Sequence, residues 1–214
     1  MKEMESFKVE VVKFAKESGK EIQELKNHTE QSYGLLNKSF LHVTVISCML
    51  LMHQILITIT IQALAQGTEV QFGVAVESKK ITLPVKRRLA CEQLSYLGQA
   101  HFYLTKCINY GNGKKHLLFI KWKYLEAKAA AYYYNGLIGD KGTNPSCHTS
   151  VVCCFLAAEE LLTESKKACL NFCLTVPITR TPPLWGAMKH LNKKIPETAF
   201  KKSQMYGYLL DQEK

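Results

Sequence analysis

Thiols, a histidine beside one of them, and clusters of lysine and arginine are the side chains of this 214-residue chain that could do chemistry. Cys147-His148 pairs a nucleophile with a base, but a thiol is activated only when the imidazole converges on it in space, and adjacency beside Pro145 does not arrange that. Cys169 and Cys173 stand one helical turn apart, and no C-x-x-C pair occurs, so all eight cysteines (Cys48, Cys91, Cys107, Cys147, Cys153, Cys154, Cys169, Cys173) read as small hydrophobes rather than metal ligands. They lie in apolar patterns with no signal peptide before them, which points to a reducing cytosol and not to disulfides. Glu159 and Glu160, followed by Lys166 and Lys167, have the spacing of a solvated helix face. No G-x-S-x-G, Walker loop, H-E-x-x-H or glycine fingerprint is present. A non-enzymatic protein is expected, with no metal, no cofactor and no small-molecule substrate.

The basic clusters are more informative. The net charge is +10, yet Met1 to Phe40 carries seven Lys and seven Glu, so the positive field belongs to the rest of the chain. Lys86, Arg87 and Arg88 fall in the first turn of a predicted helix, where the macrodipole disfavours cations by about 0.3–1 kcal/mol each. Lys114, Lys115, Lys121 and Lys123 mark another helix, and Lys193-Lys194 with Lys201-Lys202 a third cluster. A basic surface of this kind suits anionic lipid headgroups, at about 1 kcal/mol per cation, or an acidic peptide. Nucleic acid is not expected, because the neighbouring aromatics read as core and no reading motif accompanies them.

The elements that must carry these residues read as helices, and the chain divides into three. Residues 1–38 form a charged amphipathic helix, with Phe7, Val11, Phe14, Ile22 and Leu25 near one face. Residues 39–61 belong to a stretch of thirty residues, Ser39 to Thr68, without a formal charge, which is long enough to span a bilayer, while His42, His53, Gln54 and Gln62 argue against a span and for a buried core helix or an aberrant segment. From 62 to 214 the period is helical throughout. One helix runs over Ala63 to Val76 and another begins beside Leu83-Pro84, running to about Ile108 with Leu89, Leu97, Ala100 and Leu104 as its apolar stripe. Asn109 to Gly113 is a turn. Helices over about 116–137 and 147–174 form an antiparallel hairpin whose seam holds Ala127, Ala129, Ala130 and Ala131. After Pro177, Pro182 and Pro183 a short helix over Leu184 to Leu191 is expected to stop before Pro196, with a last turn or two beyond Ala199. Without strand-period segments the fold class is all-α: antiparallel helical hairpins in a tetratricopeptide-like arrangement.

Three strings add to this reading: Ala63-Leu-Ala-Gln-Gly-Thr-Glu-Val-Gln-Phe72, Val85-Lys-Arg-Arg-Leu-Ala-Cys-Glu-Gln93 and Lys121-Trp-Lys-Tyr-Leu-Glu-Ala-Lys-Ala-Ala-Ala-Tyr-Tyr-Tyr134. In order and spacing they resemble the C-terminal half of the Bro domain of ALIX-like proteins, especially its plant branch, as do Thr179 to Lys189 and the Ile195-Pro196 step. The match covers about Gln62 to Leu210. A complete Bro domain is longer, and Met1 to Ile61 does not show its N-terminal strands and helices.

The resemblance implies a curved, non-enzymatic scaffold in the cytoplasm and at the endosome, peripheral to the membrane. Its partner would be the C-terminal amphipathic helix of an ESCRT-III subunit, held in a concave apolar groove. By position that groove includes Phe72, Val85 and Leu89. Equally, all three read as ordinary core residues. The reading from another class is a membrane-integral protein that uses the uncharged segment as a single span and lays its basic face on the cytosolic leaflet.

Overall fold

The computed structural model describes residues 13, 16, 17, 19–21, 23, 24, 38–107, 113–141 and 148–212. Five long helices follow in order: α1 Lys38–Glu77, α2 Leu83–Cys107, α3 Lys114–Asp140, α4 His148–Leu174 and α5 Met188–Gln212. Among the described residues there is no strand, and the fold is all-α. The apolar positions assigned to the first amphipathic helix, the turn over 109–112 and Cys147 lie outside the described residues.

α1 differs from the expected division. It is one 40-residue helix that passes without a break through the position where the uncharged segment gives way to the first matching string. No glycine or proline occurs from Lys38 to Gln66, and although β-branched Ile57, Ile59 and Ile61 weaken helix propensity slightly, a continuous packed face overrides that preference. Two threonines on its buried side cause no polar debt. Thr58 and Thr68 donate their hydroxyls back to Gln54 O and Leu64 O at 2.8 and 3.0 Å.

Each helix packs chiefly on its neighbours in chain order, and α5 closes back on α1 and α3. The α2–α3 pair is antiparallel, since Arg87 reaches Asn135 at 3.1 Å while the Cα of Gly98 faces Tyr124. The α3–α4 pair is also antiparallel, with Gly139 against Val151, Gly136 against Phe155, and Trp122 against Phe172 at 5.9 Å between ring centroids. The four alanines are all buried, Ala129, Ala130 and Ala131 in the main core and Ala127 in the cluster with α1 and α2. A Cβ on Gly136 would come within 2.9 Å of the Phe155 ring, so helix approach here depends on that missing atom.

The main core holds Phe72, Ala90, Tyr133, Tyr134, Phe155, Leu162, Leu191 and Ile195, with contributions from all five helices. A second cluster joins α1, α2 and α3 through Ala65, Leu97, Ala100, Leu104, Ile120 and Ala127. The stripe predicted for α2 is therefore the face that packs, with Leu89 half-buried against the main core.

α5 corrects a boundary. No helix precedes Pro196 and stops there; α5 starts at Met188 and carries Pro196 in its interior. Interior proline costs about 3 kcal/mol through its missing N–H and the clash with the preceding turn. Leu191, Ile195 and Ala199, each essentially inaccessible, offset that by burying one face of the helix on either side of the proline.

Candidate functional site

Lys123 is the residue around which the least ordinary chemistry collects. It was expected on the basic surface, and the structure corrects this: its side chain is 3% exposed. α3 delivers it into a pocket shared with α1, where its Nζ donates to Glu69 Oε1 at 2.9 Å and to Glu126 Oε2 at 2.8 Å. Trp122 Nε1 donates to the other Glu126 oxygen at 2.8 Å, which fixes that carboxylate. The ammonium also lies 4.7 Å from the Trp122 ring centroid and 4.6 Å from that of Trp185, within cation–π range on both sides.

Burial and charge act in opposite senses on this group. Burial by itself lowers Lys123, but attraction to Glu126 and then to Glu69, with a hydrogen bond to each, outweighs it and holds the ammonium above its ordinary value. For Glu69 burial dominates and raises the carboxyl, while Lys123 draws it back in part and Glu126 pushes it up. One ammonium thus serves two carboxyls in a dry site, an arrangement stable only while all three remain together.

The segment between α4 and α5 lies over this site. Lys115 holds it from below, donating to Thr175 O at 3.0 Å, to Pro177 O and to Thr179 Oγ1 at 3.4 Å. The segment then brings Trp185 over Lys123 and turns at Gly186, whose φ of +56° is open to glycine at no steric cost. A Cβ on Gly73 of α1 would sit 3.0 Å from the Gly186 Cα, so two backbones meet there. Glu69 of α1, Lys123 of α3 and the Thr179 to Lys189 segment therefore converge on one structural knot.

A cleft of 270 Å³ opens beside the knot, lined in part by Trp122, Ser165, Cys169, Pro183, Trp185 and Asn192. It does not assemble a nucleophile. Burial first, and then its neighbour Cys173, push the Cys169 thiol up to about 11, so it stays protonated at neutral pH. Among the described residues no group of three or more His, Cys, Asp or Glu is placed to hold a metal ion.

The structure separates the other expected site residues. Phe72 is corrected from groove to core: it is 1% exposed and packs edge-on against Tyr134 at 5.8 Å. Leu89 is half-buried, and only Val85, 46% exposed, offers its side chain outward. Lys86 and Lys115 also leave the exposed basic set, Lys86 because it is 9% exposed with Nζ on Ser78 O at 3.0 Å, Lys115 because it ties down the α4–α5 segment. Arg87, Arg88, Lys114 and Lys121 are exposed, but they do not make one patch. Arg87 pairs with Asn135, fourteen residues along α3 from Lys121, or roughly 20 Å at 1.5 Å per residue.

An apolar face on α1 was missing from the expected site. Met52, Ile55, Ile59, Val70 and Val74 are all exposed, with Val74 at 62%, and recur at steps of three and four residues when Ala63 and Gln66 are counted between them. The signal was in the chain as the uncharged stretch, but periodicity does not tell which of two apolar faces is covered. No protein-family model, no curated protein and no solved structure matches this chain.

Proposed function

We propose that this chain is a non-enzymatic helical scaffold of the endosomal-sorting kind, working in the cytoplasm and at the endosome. It takes the C-terminal amphipathic helix of an ESCRT-III subunit on an apolar surface and turns basic residues toward an acidic membrane. The observation that carries the reading is the uncovered stripe Met52, Ile55, Ile59, Val70 and Val74, whose positions fall on one face of α1, as helix-on-helix recognition needs. The ordered strings that resemble a Bro domain supply the partner's class. With Phe72 committed to the core, Val85 is the member of the expected groove whose surface is available.

Ile59→Asp tests the α1 stripe and Val85→Asp the groove first expected, each with the fold left intact, because neither side chain is in the core. In a pull-down or titration with an ESCRT-III C-terminal peptide, the wild type binds and each variant binds about tenfold or more weakly, the cost of setting a carboxylate against an apolar partner. Absence of binding by the wild type removes the groove.

A second reading rests on α1, whose Val45–Glu77 portion is long and apolar enough to cross a membrane, with few side chains buried in its most apolar stretch. Against a lipid-bound α1 stands its other face, where Thr68 and Glu69 are buried and Glu69 meets Lys123. Carbonate extraction decides between the two. The scaffold is released completely into the soluble fraction, and a spanning protein stays with the membrane pellet.

A further inference from the structure

Four lysines from three separate places in the chain border one cleft at the end of the bundle. Lys79 and Lys80 come from the α1–α2 turn, Lys86 from the first turn of α2, and Lys141 from the residue that ends α3. The cleft holds 470 Å³, and Ile81, Leu83 and Ile138 give it an apolar floor. Among the described residues no carboxylate lines it. The two acidic residues at the nearby helix ends are engaged elsewhere: Asp140 accepts from Lys202 at 2.6 Å, and Glu77 faces His190 at 3.3 Å.

Helix ends account for part of this crowding, since Lys79, Lys80 and Lys141 follow the C-termini of α1 and α3, where the dipole favours cations, but they do not require four lysines around one cleft. Lys86 is held below its ordinary value, first by burial and then by repulsion from Lys194 of α5, so a fifth cation acts on the same place. The positive end of the α2 dipole adds to that field, and the negative ends of α1 and α3 offset part of it. Exposed Lys79, Lys80 and Lys141 stand at the rim, where their ammonium groups can reach an anion. Lys86, whose Nζ is turned to Ser78 O, contributes charge from behind.

We propose that this cleft binds a phosphate monoester. A dianionic group relieves the repulsion among the lysines, accepts hydrogen bonds from several ammonium groups at once, and leaves the apolar floor for the carbon skeleton that bears it. The proposal rests on the membrane-facing part of the function proposed above and gives it a chemical class. The monoester is either the headgroup of a phosphorylated inositol lipid or a soluble sugar phosphate.

The test uses the full chain with two probes: soluble inositol trisphosphate by calorimetry, and phosphatidylcholine vesicles carrying a phosphatidylinositol phosphate by sedimentation. Vesicles matched in total charge with phosphatidylserine are the control. The wild type binds the phosphomonoester probes in preference to phosphatidylserine, and Lys80→Glu/Lys141→Glu weakens that binding about thirtyfold, as two cations near a charged surface require. Lys166→Glu/Lys167→Glu, on the solvated face of α4, leaves it unchanged. Binding of both probes with equal affinity identifies a soluble ligand, and binding of the vesicle alone identifies the lipid. Equal binding to phosphatidylserine vesicles, binding of neither phosphomonoester probe, or indifference to the Lys80/Lys141 reversal overturns the proposal. The same samples are titrated with the ESCRT-III peptide, which the Lys80→Glu/Lys141→Glu protein still binds. Loss of peptide binding with phosphate binding kept therefore counts against the scaffold reading alone.

Discussion

Replacing Lys123 with methionine is expected to destabilise the protein by about 3–5 kcal/mol, the cost of removing one partner from a buried ion pair. The side chain is of similar length and the space stays filled, so the loss comes from charge. Glu69 and Glu126 are left facing each other with no ammonium between them, and Trp122 and Trp185 lose the cation they enclose. Urea unfolding followed by tryptophan fluorescence reads it, because Trp122 and Trp185 both sit on the knot. Restoring neutrality should recover much of the loss: Lys123→Met/Glu69→Gln/Glu126→Gln leaves no buried charge, and buried ion networks replaced as a unit are often neutral in stability. If the single and triple variants are equally unstable, packing and not charge accounts for the defect.

The pH dependence of the same site has a definite sign. Burial raises the Glu69 carboxyl above its ordinary value of 4.5, so its favourable contribution is present below that value and is lost as pH rises through the higher folded value. Lys123 is raised above 10.5, so its contribution is present throughout the neutral range and is lost only as pH climbs past 10.5 through its folded value. In Lys123→Met the ammonium that draws Glu69 down is gone. Acidification from neutral pH toward about 5 therefore stabilises the variant more than the wild type, since protonating one carboxyl relieves both its desolvation and its repulsion.

This knot also shows what the amino-acid order makes legible. Helix positions were readable because proline and glycine punctuate the chain: α2 begins at Leu83-Pro84, and the alanines of α3 announce a close helix contact. Lys123 was not readable as core, because a lysine beside Lys121 and Lys128 has the texture of a solvated face. Its partner Glu69 is 54 residues away, and no local spacing links them. Two hints stood in the sequence: Lys123 interrupts the apolar series Trp122, Tyr124, Leu125, and Glu69 is the first charge after thirty uncharged residues. Pro196 misled for the opposite reason. Local chemistry there argues for a helix end, but tertiary burial of Leu191, Ile195 and Ala199 prevails over it.

Phe72 separates packing from recognition most directly. The ring is almost wholly inaccessible, meets Tyr134 edge-on and belongs to the cluster that also holds Phe155, Leu191 and Ile195. Truncation to alanine removes the transfer free energy of the ring and leaves a cavity walled by residues from other helices, which collapse only in part. Phe72→Ala should therefore lose about 3–5 kcal/mol in chemical unfolding. Against the total of about 5–15 kcal/mol usual for a domain, that lowers the melting temperature markedly. Affinity for the ESCRT-III peptide, measured on the folded fraction well below that temperature, should stay within about twofold of the wild type, because a side chain with no exposed surface gives a partner nothing to hold. Val85→Asp has the reverse signature, with stability kept and binding weakened. If Phe72→Ala instead keeps its stability and loses the peptide, the ring turns outward in solution and the groove first expected at Phe72, Val85 and Leu89 is the right one.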